Sequence, residues 1–206
     1  MKRLGILAVV VVGVCLIPAT AASASTGFIP YSNPSTPASP SYTGITCKID
    51  FSSIAEGTPL TSVSGCGVTV TFSVTMYKEN PGSFYIPTTW GSPGNVEPGS
   101  PDVLYTGGAT SVTLTYHTPG PSGSGRRTVG VEVGGGEFNS TDNFTATFNG
   151  AGGPDGTVYA SSTPDSGTLN GDAKLLAART KTIPKVTSLT ISDTGCCGFE
   201  IGSIRV

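Results

Sequence analysis

Gly67-Val-Thr-Val-Thr-Phe-Ser-Val-Thr-Met76 decides the fold class, because Val68, Val70, Phe72, Val74 and Met76 alternate strictly with Thr69, Thr71, Ser73 and Thr75. Successive side chains of an extended chain point to opposite faces, so this stretch builds a strand with one apolar and one hydroxyl-bearing face. The same period of two recurs over residues 112–116, 129–133 and 144–148, each run bounded by Gly, Pro, Asn or Ser. Six further strands are expected over 45–51, 102–105, 157–161, 174–179, 187–192 and 199–206. That makes about ten, and one-sided strands of this kind suit antiparallel sheets packed face to face. The expected fold is therefore all-β, an antiparallel two-sheet sandwich. Residues 174–179, Lys-Leu-Leu-Ala-Ala-Arg, are good helix formers. A lone helix of that length does not hold itself together, and a strand is preferred. In the last strand Phe199 and Ile201 share one phase while Ile204 and Val206 share the other, which calls for a bulge near Gly202 and Ser203.

Composition agrees with this reading. The 206 residues hold 29 Gly and 16 Pro, and only 12% are charged, with 11 Lys and Arg against 13 Asp and Glu. Helix formers are scarce and β-branched residues plentiful. The net charge of -2 becomes about -4 once Lys2 and Arg3 leave with the leader, which argues against nucleic acid as a partner. At the start, Met1-Lys2-Arg3 is basic, residues 4–17 are almost wholly apolar, and Ala22-Ser23-Ala24 supplies the small residues a signal peptidase requires. The apolar run, about 14 residues, is shorter than the roughly 20 that span a bilayer. Residues 1–24 are thus expected to be a signal peptide and the protein to be secreted, with no membrane span in the mature chain. Residues 25–44, with four Pro among Ser, Thr and Gly and no charge, are read as a linker or mobile arm. The β-domain is expected over 45–206.

Export implies an oxidising destination, where Cys47, Cys66, Cys196 and Cys197 form an even set suited to disulfides. Pairing Cys47 with Cys66 closes a local loop but leaves Cys196 and Cys197 as neighbours, whose mutual bond closes a small strained ring. The expected connectivity instead joins Cys47 and Cys66 each to one of Cys196 and Cys197.

Ile49-Asp-Phe-Ser-Ser-Ile-Ala-Glu-Gly-Thr58, followed by Gly67-Val-Thr-Val-Thr-Phe72, resembles the opening of many secreted bacterial β-sandwich modules. The ending Gly198-Phe-Glu-Ile-Gly-Ser-Ile-Arg-Val206 resembles their closing strand, and residues 144–149, 175–180 and 186–191 fall where such modules place their penultimate strands. The resemblance covers about residues 45–206. It implies a jelly-roll sandwich similar to galactose-binding-like and carbohydrate-binding modules, and it raises structural calcium as a ligand for scattered oxygen donors such as Asp50, Glu56, Asp102, Asp155 and Glu200. No other cofactor is called for. Many members carry a C-terminal sorting tail; none follows Val206 here, which favours a freely secreted form.

Catalytic constellations are thin. His117 is the one histidine, and beside Thr118-Pro119 it reads as a loop-edge residue. The best hydrolytic pair is Glu132 and Glu137, two carboxylates that could border one cleft as glycoside hydrolysis requires. Binding is the stronger expectation. Residues 77–101 form a connection of about 25 residues, long enough to suggest function. It carries the single tryptophan, Trp90, with Phe84 and Tyr85 for stacking on a sugar ring and Asn95 and Glu97 for hydrogen bonds. The function expected is non-catalytic binding of a glycan or other extracellular polymer. A structural or surface-coat protein is the first alternative, and a glycoside hydrolase using Glu132 and Glu137 the second.

Overall fold

A computed structural model describes residues 27–35, 41–80, 90–91, 96–97, 102–119, 125–136, 139–164, 172–181 and 185–206. Within them lie β1 (Phe28–Tyr31), α1 (Tyr42–Ile45), β2 (Lys48–Ile49), β3 (Pro59–Gly65), β4 (Val68–Glu79), β5 (Val103–Tyr105) and β6 (Ser111–His117). They are followed by β7 (Thr128–Gly135), β8 (Asp142–Gly150), β9 (Gly153–Ser162), β10 (Lys174–Thr180), β11 (Val186–Asp193) and β12 (Phe199–Arg205). All the strand pairings are antiparallel. The all-β expectation therefore holds, and 174–179 is a strand.

Alternation does the building. In β4, Val68, Val70, Phe72 and Met76 are buried in one core with Leu114 and Tyr116 of β6, Phe144 and Phe148 of β8, and Leu189 and Ile191 of β11. Each such side chain taken out of water stabilises the fold by about 1.5–3 kcal/mol before conformational entropy is subtracted. Facing aromatics interlock edge to face, Phe144 on Phe199 with ring centroids 5.5 Å apart.

The strands join in one 12-stranded sheet rather than two separate ones, in the order β1-β10-β7-β12-β5-β4-β6-β11-β8-β9, with β2 added to β12 and β3 to β4. β4 shares one edge between two partners, Thr69–Phe72 pairing with β6 and Tyr77–Glu79 with β5. Through that junction the sheet bends back until β9 lies against β1 and β10, giving a nearly closed, barrel-like body. Phe28 of β1 seals this approach, its ring 5.5 Å from Phe148. An added Cβ at Gly156 of β9 would come within 2.6 Å of it, so only glycine lets the ring lie there. The bulge expected near Gly202 and Ser203 is present, as the β7–β12 register shifts between Ile201 and Ser203.

Three expectations are corrected and one strand is added. Inside the stretch read as a linker, Phe28–Tyr31 is a strand paired with β10 and Tyr42–Ile45 a single helical turn, with Tyr31 and Tyr42 buried against Leu175 and Ala177. The strand expected over 45–51 shrinks to Lys48–Ile49. Pro59–Gly65 is a strand that the sequence did not suggest. The disulfide is Cys47–Cys66, with Cα atoms 5.9 Å apart, and Cys196 and Cys197 lie outside it. The physical reason is register. Cys47 exchanges backbone hydrogen bonds with Val206, at the far end of β12 from Cys197, and nine residues of extended chain separate the two ends by about 25–30 Å.

Candidate functional site

Strands β7 and β12 are buried on both faces. Val129, Val131, Val133, Phe199, Ile201 and Ile204 supply the core face. The opposite face carries Gly130, Glu132, Gly134, Glu200 and Gly202, and over it lies Trp90, which is 3% exposed. The indole sits directly on glycine backbone: a Cβ at Gly202 would fall 2.4 Å from Trp90 Cε2, and one at Gly134 3.1 Å from Cη2 and Cζ3. Val96, Val103 and Ala173 complete the packing around the ring, and the Trp90 carbonyl accepts from the Ala173 N–H at 2.9 Å.

Glu132 anchors this cover. One carboxylate oxygen accepts from Trp90 Nε1–H at 3.1 Å and the other from the Glu97 N–H. Burial pushes its pKa up to about 7 against the opposing pull of those two donors, and the neighbouring Glu97 charge adds to the rise. Burial pushes Glu97 up as well, but the Arg205 guanidinium, Lys48 and the Ser203 hydroxyl outweigh it and hold the carboxyl below its ordinary value. Arg205 grips Glu97 through Nε and through Nη2, the latter at 2.9 Å, and its Nη1 donates to the Thr46 carbonyl. Burial, reinforced by Asp142, drives Glu200 well above the usual carboxylate range.

The expected binding and catalytic residues are therefore distributed as follows. Trp90, Glu97 and Glu132 are brought together, as a packed and hydrogen-bonded cover with the indole facing inward. Phe84, Tyr85, Asn95 and Glu137 lie outside the described residues. His117 is exposed at the end of β6, its Nε2 3.0 Å from Thr71 Oγ1. Of the oxygen donors considered for calcium, Asp102 is 2.8 Å from Lys78 Nζ, Asp50 accepts from the Ser52 N–H, and Glu56 accepts from Asn80. Among the described residues, no three His, Cys, Asp or Glu side chains gather to hold a metal ion.

The sequence did not single out the groove where the sheet almost closes. It has a volume of about 400 Å³ and is lined by Pro30 and Tyr31 of β1, Thr157 and Tyr159 of β9, and Lys174 and Leu175 of β10. Tyr159 is 74% exposed. The signal was a lone aromatic on the polar phase of an alternating strand, between Thr157 and Ser161; the missing knowledge was that β9 and β1 end up at the two edges of the sheet. A second cavity, about 480 Å³, is bordered by Arg126, Arg127 and Lys185. Arg126 already donates to the Cys66 carbonyl at 3.0 Å.

No protein-family model matches the chain, and neither a curated protein nor a solved structure matches it.

Proposed function

We propose that the protein is a secreted, non-catalytic β-sandwich module of jelly-roll type that binds an extracellular glycan along the groove between β1, β10 and β9. In this reading β1-β10-β7-β12-β5 form one wall and β3-β4-β6-β11-β8-β9 the other, with β4 running through the corner. The observation that carries it is Tyr159, a large aromatic ring left in solvent at the rim of a groove that a second tyrosine and a lysine also line. A ring held on a strand offers a rigid apolar face for the C–H face of a sugar, and Thr157 and Lys174 add hydrogen-bonding groups alongside it. The Cys47–Cys66 bond agrees with an oxidising compartment. Hydrolysis by Glu132 and Glu137 draws no comparable support, because Glu132 is 1% exposed and both its oxygens are engaged by N–H donors.

The test is retention on immobilised plant, bacterial and matrix polysaccharides. The expected result is binding to at least one, weakened about tenfold by Tyr159→Ala, the loss of one stacking contact. Retention on none of them overturns the proposal. Retention unaffected by Tyr159→Ala moves the site elsewhere, and self-association without any ligand favours the surface-coat alternative.

A further inference from the structure

The turn joining β11 to β12 reads Asp193-Thr-Gly-Cys-Cys-Gly198, and it places the two adjacent cysteines in a relation that extended chain forbids. Neighbouring side chains of a strand point to opposite faces. Here Cys197 has φ 73°, a left-handed conformation that residues other than glycine seldom adopt. The reversal folds its side chain back beside that of Cys196, and the two sulfur atoms stand 2.7 Å apart, inside van der Waals contact. The conformation is held from several sides. Tyr105 Oη–H donates to the Cys197 carbonyl. Gly198, φ 84°, lies against Thr106 and Gly108, where an added Cβ would meet Thr106 Oγ1 at 2.6 Å. The Phe199 N–H donates to Thr106 Oγ1 at 2.9 Å, and the Asp193 carboxylate caps the turn by accepting from the Gly195 N–H at 3.0 Å. Both cysteines are exposed, and the other two are bonded to each other a strand length away.

We propose that Cys196 and Cys197 are a thiol–disulfide exchange site, a dithiol that opens and closes as an adjacent-residue disulfide in reaction with small-molecule disulfides and dithiols. In the closing direction the thiolate of one cysteine attacks a sulfur of the disulfide RSSR, forming a mixed protein–SR disulfide and releasing RS⁻. The thiolate of its neighbour then attacks the protein sulfur of that mixed disulfide, forming the Cys196–Cys197 bond and releasing the second RS⁻. The two protons given up by the cysteines end on the two RSH products. The protein is oxidised by two electrons and RSSR is reduced. The preformed sulfur–sulfur approach favours the second, intramolecular step, and exposure admits the first. The eight-membered ring formed by adjacent residues keeps such a bond within reach of a dithiol reductant, whereas Cys47–Cys66 spans a separation of 19 residues.

The full secreted chain is equilibrated with reduced and oxidised dithiothreitol in varied ratio, trapped with N-ethylmaleimide and mapped as peptides without reduction. The expected result is complete loss of alkylation at Cys196 and Cys197 on the oxidising side, with a monomer lighter by two hydrogens. Alkylation at both returns on the reducing side while Cys47 and Cys66 stay linked. Cys197→Ser is expected to stop at a stable mixed disulfide on Cys196 when oxidised glutathione replaces the dithiol. Phenylarsine oxide, which bridges two neighbouring thiols, is expected to block alkylation of the reduced wild type but not of that variant. Full alkylation of both cysteines throughout, or capture only as intermolecular or mixed disulfides, overturns the proposal. So does opening of Cys47–Cys66 at the same ratio as the turn.

Discussion

Glu132 holds a carboxyl group where its charge is expensive and its hydrogen bonds are nevertheless complete. Its pKa in the folded protein, about 7, stands above the ordinary 4.5, so the folded state binds the proton more tightly than the unfolded chain does. Stability contributed by this group is full below about 4.5 and is lost as the pH rises through about 7, amounting to about 3 kcal/mol at most. Glu200, also raised by burial, acts in the same sense. Denaturant midpoints compared at about pH 5 and about pH 8 are expected to fall for the wild type and to fall less for Glu132→Gln. The variant is less stable at the lower pH, because an amide has a single acceptor oxygen for the two N–H donors of Trp90 and Glu97. An equal pH response in both proteins would refute the assignment.

Along β4 the alternation that announces a strand also carries an exception, Lys78, which takes an inward position at 0% exposure. Its ammonium is satisfied by Asp102 at 2.8 Å, Asn80 Oδ1 at 2.6 Å and the Glu79 carbonyl at 3.2 Å. Removing Asp102 leaves the fully buried Lys78 ammonium without its counter-charge, whereas replacing Lys78 by an apolar residue leaves only Asp102, whose side chain is 26% exposed and open to water. Asp102→Ala is therefore expected to cost about 2–4 kcal/mol in urea melts and Lys78→Met distinctly less; the reverse order would show that the pair does not tie β4 to β5. Elements with a clean period of two, β4, β6, β7 and β8, were legible in the sequence because half of their residues meet one core. β3 was not, since Pro59–Gly65 buries only Val63 fully. β1 escaped because Phe28–Tyr31 is short and holds a proline, tolerated at the edge of a sheet but discouraging as a sequence signal. The role of Trp90 was half legible. Its length of loop announced it, but the glycines opposite it, Gly134 and Gly202, were the sign that another layer lies close on the outer face, and reading them required knowing that β7 and β12 are neighbours.

At the scale of the molecule, long-range pairing decides what local pattern cannot, and the disulfide illustrates this. Cys47–Cys66 staples the segment beside Val206 to the β3–β4 turn across a separation of 19 residues, a loop for which the chain-entropy model gives about 3 kcal/mol. Cys47→Ser with Cys66→Ser is expected to lower the unfolding free energy by that order in denaturant titration, and an unchanged midpoint would argue against the bond. The groove at the seam belongs to the same scale, since it exists only because β9 stops short of joining β1. That incomplete closure gives β1 a further significance. Its four residues are the sole described partner of one edge of β10, and their seat is shaped for them, Phe28 on Gly156 and Tyr31 beside Tyr42. A seat that fits this segment fits the identical segment of another molecule equally well. Copies that trade the strand reciprocally close as dimers, while copies that each lend it onward, head to tail, grow into open-ended filaments without any surface beyond the one already built into the monomer.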